Sequence, residues 1–283
     1  MHIVNSRQFG KIEAFKFGYG PVGKPLMSAH IYVLDGIIID TGQSHMRKYV
    51  IEQLRNTQPH VILLTHHHED HSGNALALGR FHQIEILGHS ITAEKMAANR
   101  KILPYQRYIW GKSEDVNVKP LSPRIESEHF TLLPIHTPGH SKDHTVFLEE
   151  KNGWLFAGDL YLGERIKYFR SDEKIYDQID SLKKMCQYDF DAIFCAHNPC
   201  LEHGKSRLEQ KLRFLEDIVG RVQLLKEQGL TDNAIIKRMD PNKDRQVKLM
   251  TLGNVSYANM LRSAIRDECK IHHQFSFFSS CND

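Results

Sequence analysis

The sequence predicts a mixed α/β protein whose core consists of two β-sheets with helices packed against them. Over about the first two-thirds of the chain, apolar runs of strand length alternate with stretches of helical periodicity, and this interleaving favours layers of sheet and helix. The chain has 283 residues, enough to bury a full core. Its apolar content of 41% and charged content of 25% are values typical of globular proteins.

The predicted elements begin with two strands, 11–17 and 29–40, joined by the segment 18–23, which is rich in glycine and proline. A helix is expected over 44–56, and a buried strand over 61–65. The elements that follow are helix 74–80, strand 84–88, helix 90–99, strands 129–135, 144–149 and 153–158, helix 175–188 and strand 190–195. We expect these residues to form a first domain, 1–204.

The remaining residues, 205–283, are predicted to form a helical C-terminal region. Apolar residues recur there at helical spacing as far as about Gln228: Leu208, Leu212, Leu215, Val219 and Val222. Two more helices are expected over 231–240 and 254–268. The sequence gives no role for the insert 100–128 or for the aromatic tail 275–278.

The segment Thr65-His66-His67-His68-Glu69-Asp70-His71 directly follows the apolar strand 61–64 and precedes a helix. Four of its side chains are potential metal ligands: His66, His68, Asp70 and His71. Imidazole nitrogen and carboxylate oxygen are ligands that zinc and similar ions accept. Because a tight turn can direct alternate side chains to one point, this segment predicts a metal site.

The H-x-H-x-D-H pattern resembles that of the metallo-β-lactamase superfamily of hydrolases, and four further motifs extend the resemblance over roughly 12–200. Each further motif supplies a histidine or aspartate: Asp40 in 37–42, His140 after Thr137-Pro138-Gly139, Asp159 after 155–158, and His197 after 193–196. The stretch 137–163 is most similar to the glyoxalase II-like branch. The resemblance implies a four-layer αββα sandwich with a C-terminal helical appendage.

The resemblance also implies a dinuclear metal site, with zinc as the expected metal and iron or manganese as alternatives. One ion would bind His66, His68 and His140, the other would bind Asp70, His71 and His197, and Asp159 would bridge both. A hydroxide held by the two ions would attack the substrate. Asp70 and His144 are the candidate catalytic residues, the first to orient the nucleophile and the second to donate to the oxyanion. Asp40 is expected to orient a ligand histidine.

The expected substrate is a small molecule with a thioester, ester or lactone carbonyl. Asp159 stands where zinc β-lactamases usually have cysteine, which argues against β-lactam hydrolysis. The alternative is a phosphodiesterase or endoribonuclease on the same fold, and a non-enzymatic regulatory protein is a third hypothesis. A nucleic-acid partner is not favoured, although basic residues of the insert could supply a basic strip: Lys101, Arg107, Lys112, Lys119 and Arg124. Its Tyr105, Tyr108 and Trp110 could instead line an acyl pocket.

Composition favours a cytoplasmic protein with no membrane partner. The net charge is only +3, and no window approaches the roughly 20 apolar residues of a membrane span. Residues 1–20 lack the apolar core of a signal peptide. The five cysteines are odd in number and lack the paired spacing of a metal site, and they are expected to be reduced thiols. The sequence does not predict the oligomeric state.

Overall fold

The computed structural model describes residues 1–97, 101–242 and 244–276, with side chains as far as Arg266. Two compact units are present. The first comprises Met1–Pro138, Lys142–Leu162 and Tyr188–Lys205, and the second comprises Gly139–Ser141, Gly163–Gln187 and the chain from Ser206 onward. The predicted domain boundary between 204 and 205 stays a prediction.

The first unit contains two β-sheets, as the sequence predicts. The larger has seven strands in chain order: β1 (His2–Phe9), β2 (Ile12–Tyr19), β3 (Ala29–Leu34), β4 (Ile37–Ile39), β5 (Val61–Leu63), β6 (Glu85–Gly88) and β7 (Lys119–Pro120). The first four strands are antiparallel and the last four, β4 to β7, run parallel. The predicted strand 29–40 is a hairpin, because Asp35 and Gly36 adopt positive φ angles and turn the chain.

The second sheet has the order β12-β11-β10-β9-β8. Its strands are β8 (Ile125–Glu126), β9 (Thr131–His136), β10 (Thr145–Glu149), β11 (Trp154–Gly158) and β12 (Ala192–Cys195). Only the pair β11 and β12 is parallel, so both end at the same edge. That edge is where the predicted ligands Asp159 and His197 follow in the sequence.

Two apolar clusters explain the packing of the first unit. One lies between the sheets and joins Ile12, Tyr32 and Leu34 to Phe147 and Phe156. The other covers the opposite face of the larger sheet with three helices: α1 (Arg47–Leu54), α3 (Ala75–His82) and α4 (Ser90–Ala97). The predicted end of α4 at residue 99 lies outside the described residues. Sheet, sheet and helix thus form layers, in agreement with the predicted architecture.

Two short helices of the first unit are associated with the predicted metal-binding segment. The helix α2 (Glu69–Ser72) begins within it, and α5 (Pro104–Ile109) lies in the insert 100–128, for which the sequence predicted no element. Gln106 of α5 donates from its amide to a carboxylate oxygen of Glu69, 3.0 Å away. The insert is therefore anchored to α2 by a buried hydrogen bond.

The second unit is helical and contains α6 (Ile175–Met185), α7 (Gly204–Glu227), α8 (Asp232–Met239), α9 (Arg245–Met250) and α10 (Tyr257–Ser276). The predicted apolar stripe is buried at Leu208, Leu215, Val219 and Val222. The helix α8 begins where expected, since the Thr231 side chain accepts from the Ala234 N–H. The side chains of the predicted aromatic tail lie outside the described residues.

No helix in the described part of the chain combines the length and the apolar character needed to span a bilayer. The cytoplasmic location expected from the sequence stays a prediction. Of the cysteines, Cys186, Cys195 and Cys200 are described, and none of these three forms a disulfide bond.

Candidate metal centre

The carboxylate of Asp40 lies behind the predicted metal ligands and fixes His71. Asp40 follows β4 and has φ 61°, a left-handed conformation that aspartate tolerates better than most side chains. One of its oxygens lies 2.7 Å from His71 Nδ1, which donates to it. Thr65 donates its N–H (2.8 Å) and its hydroxyl (2.8 Å) to the same carboxylate. The structure thus shows Asp40 orienting a predicted ligand, as expected, and adds Thr65, which the sequence analysis did not single out.

Because His71 donates from Nδ1, its Nε2 is directed toward the other predicted ligands. Asp159 Oδ1 lies 3.4 Å from this nitrogen and Asp70 Oδ2 lies 3.9 Å from it. His197 approaches the same two carboxylates from the end of β12, with Nε2 at 3.2 Å from Asp70 and 3.4 Å from Asp159. His197 Nδ1 donates to the Ser28 carbonyl at 2.7 Å, which leaves Nε2 for a ligand.

The other two histidines of the segment also converge. His66 Nε2 lies 2.8 Å from His68 Nδ1, and both side chains are buried. His66 further joins His71 and Asp159 in a group whose ligand atoms all lie within 4.8 Å of one another. Asp159 therefore lies beside both halves of the predicted site, as a bridging ligand requires.

The arrangement fits metal ions. Zinc ligands lie about 2.0–2.2 Å from the ion, so two ligand atoms at tetrahedral angles are about 3.4 Å apart. Asp70, His71, Asp159 and His197 show spacings of this size. His71 Nε2 is buried and makes no hydrogen bond, an arrangement that costs free energy unless an ion or a proton partner satisfies it. Six of the seven predicted ligands thus meet in the first unit.

The seventh predicted ligand, His140, belongs to the second compact unit, within the segment Gly139–Ser141. Its side chain is buried, and Nδ1 lies 3.5 Å from Glu173 Oε1. Gly139 has φ 131°, and a Cβ there would meet the Gln178 backbone nitrogen at 2.4 Å, so the turn before His140 requires glycine. The role of His140 as a ligand stays a prediction.

The charges of the centre depend on one another. Burial opposes the charged form of His71, but the carboxylates of Asp40, Asp159 and Asp70 outweigh it and raise the pKa of this imidazole well above its ordinary value. Burial likewise opposes the charged form of His197, while Asp159 and Asp70 raise its pKa. For Asp70, burial favours the neutral form, but His71 and His197 lower its pKa. The two imidazoles are therefore favoured in their protonated forms, and the Asp70 carboxyl group is favoured in its ionised form.

His144 is placed differently from its predicted role. Its ring is fully buried, and Nε2 accepts from the Asp159 backbone N–H at 3.0 Å. The ring proton is then on Nδ1, which donates to Thr137 Oγ1 at 2.8 Å. A Cβ at Gly158 would meet His144 Nε2 at 2.8 Å, so the ring packs against the chain just before Asp159. The role of His144 as a donor to the substrate stays a prediction. This geometry instead supports a role for His144 in positioning Asp159.

The other two side chains of the segment have protein partners. His67 contacts Asp143. Glu69 is 3% exposed and accepts from Gln106, so it supports the fold. Trp110 of the insert is buried, with its ring centroid 6.2 Å from that of His197. The sequence offered only its aromatic character as a signal.

Comparison with known proteins agrees with this geometry. The family model of the metallo-β-lactamase superfamily matches residues 27–197, more than half of the chain. The chain belongs to the metallo-β-lactamase superfamily. It is 28% identical over 213 residues to "Beta-lactamase-like protein 2 homolog" of Drosophila melanogaster, covering 68% of this chain and 66% of that protein. It is 26% identical over 219 residues to "Hydroxyacylglutathione hydrolase" of Aeromonas salmonicida, covering 75% and 76%.

A solved structure confirms the fold of this superfamily member. A β-lactamase domain protein from Burkholderia ambifaria superposes with a TM-score of 0.67 at 17% identity, covering 91% of this chain and 87% of that one. The predicted fold class is therefore confirmed. The family match and the relatives that are named as hydrolases support the predicted assignment as a metallohydrolase of this superfamily. The third sequence-based hypothesis, a non-enzymatic regulatory protein, receives no support.

Proposed function

We propose that this protein is a dinuclear metal-dependent hydrolase that acts on the carbonyl of a thioester, ester or lactone. The observation that carries the proposal is the convergence of Asp70, His71, Asp159 and His197, whose facing atoms lie 3.2–3.9 Å apart. Zinc is the expected metal, since nitrogen and oxygen ligands of this kind suit it, with iron or manganese as alternatives. Bound metal would lower the pKa of water and polarise the carbonyl.

The chain's own residues hold this chemistry in place. Asp40 accepts from His71 Nδ1, and the Ser28 carbonyl accepts from His197 Nδ1. The Nε2 atom of each histidine therefore faces the centre. Asp159, fixed through its N–H by His144, joins the two halves of the site. Asp70 is the proposed ligand that also orients the nucleophile. His66, His68 and His140 are the remaining ligands that the sequence predicts.

Two observations support a carbonyl substrate. The ring of Trp110 lies beside His197. The Ser28 carbonyl, which binds the same histidine, directly follows Leu26 and Met27 in the chain, and these two residues are 63% and 45% exposed. Exposed apolar side chains so close in the chain to a residue that holds His197 suit an acyl group. The hydroxyacylglutathione hydrolase of Aeromonas salmonicida is, by its name, a hydrolase of an acylated thiol.

The competing phosphodiester substrate rests on the basic residues of the insert. One of these residues, Lys119, is paired with Glu85 on β6, which neutralises it. A nucleic-acid track would require several unneutralised cations close to the centre. We therefore place phosphodiesters and RNA second, as substrates to be tested directly.

The test is metal analysis followed by a substrate panel. Full-length protein reconstituted with zinc is expected to hold two equivalents, and Asp159→Asn is expected to lose at least one ion and nearly all activity. Asp191→Asn, at an exposed position, is the control and should retain both zinc equivalents and the activity. Wild-type protein that binds no zinc would refute the proposal.

The panel compares kcat/KM for acyl thioesters and lactones with kcat/KM for a bis-aryl phosphodiester and single-stranded RNA. A hundredfold preference for the phosphorus substrates, about 2.7 kcal/mol of transition-state stabilisation, would refute the carbonyl assignment. It would leave the dinuclear hydrolase in place.

A further inference from the structure

Asp143 carries a buried carboxylate that contacts the predicted metal-binding segment without being a ligand. Its side chain has no exposed surface. Oδ2 accepts from the His67 backbone N–H at 2.9 Å, and Oδ1 lies 2.8 Å from His67 Nδ1, which donates to it. On the other side, Thr92 of α4 donates its hydroxyl to Oδ2 at 2.8 Å. Lys95 Nζ lies 3.7 Å from Oδ1.

The residue held by Asp143 stands between two predicted ligands. His66 and His68 are the neighbours of His67, and their ring nitrogens meet 2.8 Å apart. Where the chain is extended, successive side chains point to opposite sides, and His68 is extended with φ −61° and ψ 154°. Fixing both the backbone N–H and the ring of His67 therefore fixes the direction in which its neighbours point.

We propose that Asp143 is a positioning residue of the metal centre, which acts through His67 to hold His66 and His68 in the orientation that binds metal. This inference rests on the proposed dinuclear site. It assigns Asp143 a role that the ligand pattern does not contain.

The chemistry of the contacts requires a carboxylate. Three hydrogen-bond donors converge on its two oxygens, and an asparagine would turn an NH₂ group toward one of them. Burial of the charge is offset by these bonds and by Lys95. Although burial alone would raise the pKa of Asp143, the bonds from His67 and the charge of Lys95 hold it well below its ordinary value. The contacts thus favour the ionised form of this side chain.

The test is Asp143→Asn in the full-length protein, measured by zinc affinity in chelator competition and by the visible spectrum of the cobalt(II)-substituted form. We expect zinc to bind about 10–100-fold more weakly, as is usual when a residue that orients a ligand is lost, and the cobalt spectrum to change. Glu149→Gln is the matched control. Glu149 is 3% exposed and accepts from the Asn152 N–H and side-chain amide at 2.7 and 2.8 Å, at the other end of β10.

A merely structural role would lower thermal stability in both variants and leave zinc affinity and the cobalt spectrum unchanged, and that result would overturn the proposal. If Asp143→Asn fails to fold, His67→Ala is measured instead. Weaker zinc binding by this variant would support the proposal, and unchanged zinc binding would contradict it. Absence of zinc binding by the wild-type protein would instead refute the proposed function.

Discussion

At the scale of single residues, the position of His144 separates two roles that a sequence motif cannot distinguish. A histidine four residues beyond a ligand histidine can face the substrate or the protein. Here both ring nitrogens are engaged by the protein, one with the Asp159 N–H and the other with Thr137. The ring therefore determines where the chain carries Asp159, the residue that lies between the two halves of the centre.

His144→Ala is accordingly expected to lower metal content as well as turnover. Without the ring, the Asp159 N–H loses its acceptor in a buried site, and the bridge becomes less well fixed. Metal content by elemental analysis and kcat should fall together. If the zinc content is unchanged while kcat falls about 10²–10³-fold, the originally predicted role as an oxyanion donor is correct instead.

His30, at the start of β3, gives the protein a pH-dependent stability. Burial lowers its pKa to about 4, although its Nδ1 donates to the Ala196 carbonyl at 2.9 Å. Because the unfolded chain has the ordinary value near 6.5, it binds more protons between pH 6.5 and 4, and stability falls as the pH falls through this range. The free energy of unfolding should drop by about 2 kcal/mol between pH 7 and pH 5 on this account.

The measurement is urea unfolding of metal-free wild-type protein and His30→Gln at both pH values. The variant should lack this part of the drop, whereas His129→Gln, at an exposed histidine, should behave as wild type. Equal pH dependence in wild type and His30→Gln would contradict the explanation.

At the scale of elements, strands with buried apolar runs were predictable and elements held by distant contacts were not. The strands before Asp40, His66, Asp159 and His197 are short apolar runs that end in a polar residue, so sequence alone could indicate a candidate site at their ends. β1 was missed because it is exposed along most of its length and is held by its backbone bonds to β2. Helix α5 was missed because a six-residue helix has no periodicity, and its position depends on Glu69. The contacts of Asp143 and Thr65 likewise join segments far apart in sequence.

The loop between β2 and β3 yields a prediction about substrate size. Leu26 and Met27 are exposed directly before Ser28, which binds His197. Burying apolar surface contributes about 25 cal/mol per Å², so a long acyl chain that covers these side chains should bind better than a short one. The double variant Leu26→Ser/Met27→Ser is expected to raise KM several-fold for an octanoyl thioester and little for an acetyl thioester.

Metal content of this variant should be unchanged. Phe81→Ser, at a position that is 47% exposed on α3, is the control and should alter neither KM. A variant that treats both thioesters as the wild type does would show that the loop does not contact the acyl chain.

At the scale of the whole molecule, the second unit is assembled from three separate parts of the chain. Residues 163–187 depend on the C-terminal helices: Ile175 donates its N–H to Ser263 Oγ at 3.0 Å, and the Phe169 carbonyl accepts from the Ser256 N–H at 3.0 Å. Phe169 and Ile175 are both essentially unexposed. This dependence could not be read from local patterns, because the partners are about 90 residues apart in sequence.

A protein truncated after Gly204 is therefore expected to aggregate, since it would expose Phe169, Ile175 and the apolar face of α6. Solubility and size-exclusion chromatography against the full chain measure this, and a truncation after Ser276 is the control. A soluble and monodisperse product would contradict the interdependence.

The crowding of imidazoles and carboxylates around His71 has a calorimetric consequence. Burial opposes the charged forms of His71 and His197, but the neighbouring carboxylates raise the pKa of both imidazoles, which favours their protonated forms in the metal-free protein. Zinc binds only the deprotonated nitrogens, so zinc loading must release protons to the solution. The heat of zinc binding to the metal-free protein should therefore differ between two buffers of unequal ionisation enthalpy, with a slope that corresponds to net proton release. Identical heats in the two buffers would mean that the imidazoles are already neutral when the ion binds. Net proton release would mean that protons compete directly with zinc for these nitrogens, so that zinc binds more weakly as the pH falls.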